Sequence, residues 1–461
     1  MLSCRREKGG TVMDLAMPAA AAAALDALER RGYESYVVGG CVRDALLGRE
    51  PHDWDICTAA PPEAVEAVFA GSRVLETGRK HGTVTLLTED GPLEITTFRR
   101  EGTYSDARRP DTVEFIDDIH EDLLRRDFTV NAMAWSPRRG LRDDFGGRED
   151  LAAGLIRCVG APAERFGEDA LRILRALRFA ARYGFAVEEA TAASLHALRE
   201  TLCRVSPERI FSELKGILCA PGAGDMLRTF PEVFFVFLPE LAPCLGFDQR
   251  MPEHHQYDVW HHIACTVDAI EADPVLRLTM LFHDAGKPAS FTWDPETGRA
   301  HFYGHPARGA AMADAALRRL RSDNALREAV VALVYDHDFR SGGNRRAVRR
   351  LLARLGEENA RRLVSVILAD AAGHTPATGA RMTARAEELR ALTDEILAEG
   401  RCLTVGDLAV GGGDLLALGM APGPGVGRVL RTLLEEVWDE KLPNGREALL
   451  RRAEELKEET P

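Results

Sequence analysis

The sequence predicts an α+β protein: an N-terminal part built on a small mixed or antiparallel β-sheet with helices, followed by a mostly α-helical remainder. Three observations carry that expectation. Between Tyr36 and Ile119, short β-rich segments are separated by Gly, Pro and Asp clusters, the pattern of strands and turns. After Gly147 the strand signals fade and apolar residues recur with helical spacing, beginning with Ala163 to Tyr183. At 461 residues the chain also exceeds what one hydrophobic core organises, so about two to four domains are expected.

Taken in order, the apolar run Ala19 to Leu25 continues as an amphipathic pattern into Leu28, Glu29, Arg30 and Arg31, which reads as a helix and not as a signal core. The polar segment before Met13 reads as an upstream extension or a disordered tail. Strands are expected at Tyr36 to Val38, Trp54 to Cys57, Thr83 to Leu87, Leu93 to Phe98 and Val113 to Ile116. The segment Pro243 to Tyr257 reads as a linker, and a further boundary falls near His374 to Thr378. The expected divisions are therefore an extension with a first helix at 1–30, the sheet domain at 31–155, a helical neck at 156–242, a second functional unit at 243–377 and a C-terminal helical region at 378–461.

Hydrophobic content of 45% and charged content of 28% are ordinary for a globular chain, and no apolar run is long enough for a bilayer, so no membrane partner is expected. Nine cysteines without a C-x-x-C pair argue against a disulfide framework or a thiolate zinc site and fit a reducing cytoplasm. The formal charge of −13 disfavours a nucleic-acid partner unless positive charge is concentrated locally. Arginines cluster at Arg165 to Arg182 and Arg345 to Arg362, where either stretch can form a basic stripe.

Candidate chemistry begins at Val38-Gly39-Gly40-Cys41-Val42-Arg43-Asp44, where Gly39 and Gly40 sit between a strand and a helix and let backbone N–H groups approach a phosphate. Asp53 and Asp55 follow at i, i+2, so in a strand both carboxylates project from one face. Glu94 on a later strand is the natural third carboxylate. Oxygen ligands of this kind suit Mg²⁺ shared with substrate phosphates, with two ions expected, one at the attacking hydroxyl and one at the departing pyrophosphate. Alone, the Asp pair also fits a solvated turn. Arg43 is either a phosphate ligand or a structural partner of Asp44.

These residues, with Arg125-Arg126-Asp127-Phe128-Thr129-Val130-Asn131-Ala132, Asp143-x-Phe-Gly146-Gly147-x-x-Asp150-Leu151 and Glu168-Asp169-x-x-Arg172, resemble the ordered motifs of class II tRNA nucleotidyltransferases and bacterial poly(A) polymerases over about the first half of the chain. The resemblance implies a nucleotidyltransferase head, with Asp53, Asp55 and Glu94 catalytic and Asp53 and Asp55 holding Mg²⁺. It implies ribose and triphosphate contacts from Arg126, Asp127 and Asn131, with a helix cap as the alternative for Asp127. It implies that Asp169 and Arg172, spaced as neighbours on a helix face, read the incoming base. Cytosine and adenine both present an amino donor beside a ring acceptor, so CTP and ATP would be selected. The same pair also fits an i, i+3 salt bridge. Arg175 and Arg178 extend the row as phosphate or tRNA contacts, or as a solvated basic face.

The segment Phe98 to Pro110 resembles the family's flexible loop, whose presence points to full CCA addition or to A addition and away from a CC-only enzyme. The implied partners are tRNA, CTP and ATP, with the protein a monomer or homodimer. A poly(A) polymerase and an A-adding enzyme are the alternatives within this chemistry.

In the second half, His262, His283, Asp284 and Asp370, with His305 and His337 as further candidates, resemble the ligands of HD metal phosphohydrolases. Neutral imidazoles and carboxylates suit a divalent transition metal or a weaker Mg²⁺ site, and phosphatase or cyclic phosphodiesterase activity is the implied chemistry. From a different class, an HD phosphohydrolase with an RNA-binding N-terminal module is the competing reading.

Overall fold

The computed structural model describes residues 3–7, 10–75, 78–102, 112–249, 251, 253–400 and 402–458. The chain divides into two compact units, Met1–Pro239 and Glu240–Pro461.

In the first unit a seven-stranded sheet is built from β1 (Ser35–Val38), β2 (Asp55–Thr58), β3 (Val74–Leu75), β4 (Thr83–Thr88), β5 (Gly91–Thr97), β6 (Ala134–Ser136) and β7 (Gly140–Arg142), in the spatial order β7-β6-β1-β2-β5-β4-β3. β2 runs parallel to β5 and every other neighbouring pair is antiparallel, which makes the sheet mixed. All four residues of β1 are buried, so this strand reads as a continuous run where a half-exposed one would alternate. Val37, Ile56 and Ile95 are fully buried along adjacent strands. Helix α1 (Ala19–Arg30) buries Ala21, Ala24, Leu25 and Leu28, the spacing of one helical face.

Five strand segments were legible as short β-rich runs between turn residues; the sheet also recruits β3, β6 and β7, which are only two or three residues long. Val113–Phe115, expected with the others, pairs instead with Arg99–Glu101 in a separate ribbon. At the N-terminus, where an upstream extension or a disordered tail was expected, Ser3–Glu7 pairs antiparallel with Gly10–Asp14.

The continuous helix expected from Ala163 to Tyr183 is two helices, α3 (Pro162–Glu168) and α4 (Leu171–Tyr183). Asp169 breaks it. Its backbone is extended (φ −142°, ψ 104°) and its Oδ1 accepts the Leu171 N–H at 3.0 Å, the local bond with which a short acidic side chain competes against helix. Farther on, α5 (Pro207–Leu218) packs against α4.

The second unit is mainly helical: α6 (Val259–Ala269), α7 (Pro274–Phe282), α8 (His305–Arg319), α9 (Asn324–Asp336), α10 (Arg345–Ala372, kinked at Gly356), α11 (Pro376–Ala398), α12 (Pro424–Trp438) and α13 (Arg446–Glu458). Its last part has its own core around Leu415, Leu433, Trp438 and Leu449. The boundary expected at 377/378 falls inside the first turn of α11, which packs along α10.

The stretch Arg345 to Arg362 is not a free basic stripe. Arg345 pairs with Glu395 and Glu399, Arg346 with Asp439, Arg349 with Glu440, Arg354 with Asp336 and Arg361 with Asp394, so these cations tie helices together. No helix among the described residues is long and apolar enough to cross a membrane. The eight cysteines from Cys41 to Cys402 are all free.

Candidate functional site

The parallel pairing of β2 with β5 sets Asp55 directly opposite Glu94. Asp53 lies just before β2, and all three carboxylates open to solvent at this end of the strands. Desolvation by the surrounding protein, then the charge of Glu94 and that of Asp53, raise the Asp55 pKa above the ordinary carboxylate value, while Arg126 opposes the shift. Among the described residues no side chain hydrogen-bonds or ion-pairs with these carboxylates. A solvent-open group of oxygen ligands, mutually repelling and without protein cations bonded to it, fits a hard divalent ion.

Beside them, Gly39 caps α2 (Gly40–Leu46) with φ 79° and ψ −121°, a conformation side chains rarely adopt. A Cβ there would also lie 3.0 Å from Arg126 Nη1. The glycine thus lets a guanidinium settle on the turn. Arg126 Nη2 reaches Asp122 at 3.4 Å, and its buried Nε has no hydrogen-bond partner. Gly39→Ala is expected to lower stability by about 1–3 kcal/mol, the scale of one strained residue, measured by urea denaturation.

Arg43 is almost fully buried and its partners are internal. Its Nε donates to Asp44 Oδ1 at 2.9 Å and its Nη1 to Asn131 Oδ1, and the guanidinium lies over the Phe179 and Tyr183 rings. Tyr183 donates to the same Asp44 oxygen at 2.9 Å. Asp127 is held similarly, accepting from Asn131 Nδ2 at 3.0 Å and from Arg175 Nε and Nη2 at 2.9 and 2.6 Å.

Burial alone would raise the Asp127 pKa, but the charge and bonds of Arg175 and the bond from Asn131 outweigh it and leave the pKa lowered. The folded-state value lies below the unfolded one, so the stabilisation is present above about pH 4 and is lost as pH falls through the folded value. Asp127→Ala is expected to destabilise by about 2–3 kcal/mol, below the range for a wholly buried pair because Arg175 is partly exposed, and to flatten that acid limb in a pH series of urea melts.

Asp169 and Arg172 are close in the chain but are not neighbours on a helix face, because Asp169 lies outside α4. Asp169 Oδ2 takes Arg209 Nη2 of α5 at 2.6 Å. Arg172 bonds Glu168 and donates to the carbonyls of Arg165 and Arg125 at 3.1 and 3.0 Å. Arg178 pairs with Glu213 at 2.6 Å. Arg209 and Tyr183 were invisible as site residues in the sequence, since neither sits in a motif and only the packing of α4 and α5 brings them in. Of the expected flexible loop, residues 103–110 lie outside the described residues.

Three family models match: the poly A polymerase head domain over residues 35–157, the "Probable RNA and SrmB- binding site of polymerase A" over 184–245, and tRNA nucleotidyltransferase domain 2 over 308–453. The CCA-adding enzyme of Limosilactobacillus fermentum is 32% identical over 443 residues, covering 94% of this chain and 95% of that one. The chain belongs to the CCA-adding enzyme family.

It spans about half the length of several other curated CCA-adding enzymes, such as that of Geobacillus kaustophilus, 44% identical over 216 residues, 47% of this chain and 53% of the relative. The crystal structure of the Bacillus stearothermophilus CCA-adding enzyme in complex with CTP superposes with TM-score 0.70 at 28% identity, covering 95% of this chain and 97% of that one. The Thermotoga maritima CCA-adding enzyme complexed with tRNA shares the fold, with TM-score 0.56 at 22% identity over 95% of each chain.

This CCA-adding enzyme family member carries a second constellation, inside its second unit. His262 Nε2 lies 3.1 Å from His283 Nε2, 3.0 Å from Asp370 Oδ1 and 3.3 Å from Asp284 Oδ2. His305 and His337 meet at 3.2 Å between their Nε2 atoms and face the other Asp284 oxygen, Oδ1, at 3.6 and 3.8 Å. Asp284 therefore stands between two sets of imidazoles.

The tautomers are set by the backbone. Nδ1 of His262, His283, His305, His337 and His374 lies 2.7–3.1 Å from the carbonyls of Gly373, Met280, Phe302, Val334 and His254 respectively. A carbonyl only accepts, so each Nδ1 carries a proton and each Nε2 faces inward, as a lone pair wherever the ring is neutral. Burial lowers the pKa of His262, His305 and His337, the last to about 4. Burial opposes charge on His283 as well, but Asp284 and Asp370 outweigh it and raise its pKa to about 10.

Buried Asp284 Oδ2 has no hydrogen bond of good geometry, although Lys287 Nζ lies 2.6 Å away. Imidazole nitrogens turned inward around two buried carboxylates fit divalent cations. His255, His374 and Lys287 belong to this constellation and were not singled out from the sequence. His374 Nε2 is 3.3 Å from Asp370 Oδ1, and the Asp370-x-x-x-His374 spacing was the available signal. His261, by contrast, turns away and bonds the N-cap Asp258 at 2.9 Å.

Proposed function

We propose that the chain adds CCA to the 3′ end of tRNA from CTP and ATP without a nucleic-acid template. The observation that carries this is the register of β2 against β5, which sets Asp55 opposite Glu94 beside the Gly39 turn. In the reaction the RNA 3′-hydroxyl oxygen bonds the α-phosphorus, the bond to the β-phosphate oxygen breaks, and pyrophosphate leaves while the hydroxyl gives up its proton. Asp53 and Asp55, with Glu94, are the residues that would hold two Mg²⁺ ions, which supply acidification of the hydroxyl and neutralisation of the triphosphate when bound.

Gly39 and Gly40 offer bare backbone to the triphosphate, and the guanidinium of Arg126 lies against the same turn through its Nη1. Arg43 and Asn131 act by holding α2 and Asp127 in place, as their internal bonds indicate. Asp169 and Arg172 read the base edge, oriented by Arg209 and Glu168 respectively, so that cytosine and adenine meet one acceptor and one donor. Arg175 and Arg178 stand beside them, anchored on Asp127 and Glu213, and add positive potential toward the RNA backbone. The chain is assigned to the cytoplasm, as a monomer or homodimer.

The test is incorporation on a tRNA transcript lacking its terminal CCA, with Mg²⁺ and each NTP singly, then CTP with ATP, resolving product length. Addition of three residues followed by arrest supports the proposal. Long A tails would replace it with a poly(A) polymerase, A alone on tRNA ending in CC with an A-adding enzyme, and no incorporation would sink it.

The His262, His283, Asp284, Asp370, His305 and His337 constellation favours a second reading beside the first, a metal-dependent phosphohydrolase site of the HD type. The candidate ions are a transition metal or Mg²⁺. The two oxygens of Asp284, each facing a separate histidine set, support two ions.

A further inference from the structure

Around the histidine and aspartate centre lies a cavity of about 570 Å³, within the range of small-molecule sites. One wall is a face of α11: Thr378, Arg381, Met382 and Arg385 line it at helical spacing. The guanidiniums of this wall are poorly compensated compared with those of Arg345 to Arg361. Arg385 reaches Asp338 only through Nη1, at 3.4 Å, and its Nε and Nη2 are buried without a hydrogen-bond partner. Arg340 shares that same Asp338 at 3.1 Å. Arg381 bonds Thr378 Oγ1 at 2.9 Å and His254 Nδ1 at 3.4 Å, neither of them an acid. A half-buried guanidinium with two idle donors beside a second, acid-free one is a place where an anion is missing from the balance. The planar fork of arginine matches phosphate oxygens in particular. Phe302, packed edge-on against Phe247 and tilted against Phe291, and Met251 give the cavity an apolar surface as well.

We propose that this cavity takes a nucleotide-sized phosphate ester bearing a second phosphate: one phosphate lies at the His/Asp centre and the other is held by Arg381 and Arg385. This rests on the reading of the centre as a metal-dependent hydrolytic site. In the reaction a water oxygen bonds phosphorus, the ester P–O bond breaks, and the leaving oxygen takes up a proton; the second phosphate is unchanged and serves only for recognition. A free nucleoside bisphosphate and the 3′-phosphorylated end of an RNA strand share this chemistry.

The test uses the full chain loaded with Mn²⁺, its metal content determined by mass spectrometry. Calorimetric titration then compares adenosine 3′-monophosphate, adenosine 3′,5′-bisphosphate and the dinucleotide ApAp with a 3′-phosphate, with ligand integrity checked by chromatography. The wild type is expected to bind one or both doubly phosphorylated ligands about tenfold or more tighter than the monophosphate, the scale of one or two charge-assisted bonds. A gain for the bisphosphate alone identifies a free nucleotide, and a gain for ApAp alone a strand end. Arg381→Gln/Arg385→Gln removes the gain without changing Mn²⁺ content. Arg381→Gln alone, at an exposed position, moves the ratio in the same direction if the double variant does not fold. Equal affinities in the wild type, or a gain that survives both variants, overturn the inference while the metal site stands. Absence of Mn²⁺ uptake overturns the metal-site reading and this inference with it.

Discussion

Asp55→Ala is expected to reduce nucleotide incorporation by about a thousandfold or more, the equivalent of about 4 kcal/mol of lost transition-state stabilisation. The residue sits at the first position of β2 with its side chain open to solvent, so the substitution removes a charged ligand and no packed core. Melting temperature should therefore stay within a few degrees of wild type, because the lost charge is one that Glu94 and Asp53 repel. Single-turnover incorporation with CTP and a CC-less transcript measures the loss. Rates within tenfold of wild type would remove Asp55 from the metal-binding role.

Asp284→Ala is the second large effect, and it strikes a different reaction. The carboxylate faces His262 and His283 with one oxygen and His305 and His337 with the other, so both proposed ions lose a ligand at once. Mn²⁺ content of the purified chain is expected to fall from about two ions per chain at this site to fewer than one, a loss of affinity on the scale of removing a primary metal ligand. Lys287, whose ammonium lies 2.6 Å from Asp284, is left as a nearly buried cation, and the variant should be destabilised by about 3 kcal/mol. Nucleotide incorporation should change by less than about twofold. Unchanged Mn²⁺ content would remove the ligand assignment.

Much of the N-terminal site could be read from the chain because its residues are close in sequence and its elements are local. Gly39 and Gly40 bridge a strand to a helix, and Asp53 and Asp55 sit at a strand entrance, so spacing alone expressed their placement. Glu94 required one long-range guess, the parallel pairing of β2 with β5. What sequence spacing misjudged was Asp169. Its helical neighbours predict helix, and only a side-chain bond to the Leu171 N–H takes it out of the helix and toward Arg209. The arginine clusters misled for a related reason. Composition reports the charge of Arg345 to Arg362, whereas the acids that neutralise it come from segments distant in the chain, as Arg346 with Asp439 and Arg349 with Glu440 illustrate.

The second site was legible through its adjacent His283 and Asp284, but not in full. His255 lies in a segment that reads as linker, and His374 at a helix end, and both join the cluster only because residues 254 and 255 lie against 374 and 375. The backbone carbonyls that fix the five Nδ1 protons have no sequence signature at all. Arg381 and Arg385 fell without distinction in the C-terminal helical region, and only the packing of α11 along α10 places them on a cavity wall.

The most direct measurement is anomalous diffraction from crystals of the full chain soaked with Mn²⁺ and CTP. Manganese peaks are expected on the carboxylates of Asp53 and Asp55, with the triphosphate extending toward the Gly39 turn and Arg126. Triphosphate bound elsewhere, with no manganese at Asp53 or Asp55 while the ion is present at saturating concentration, would contradict it.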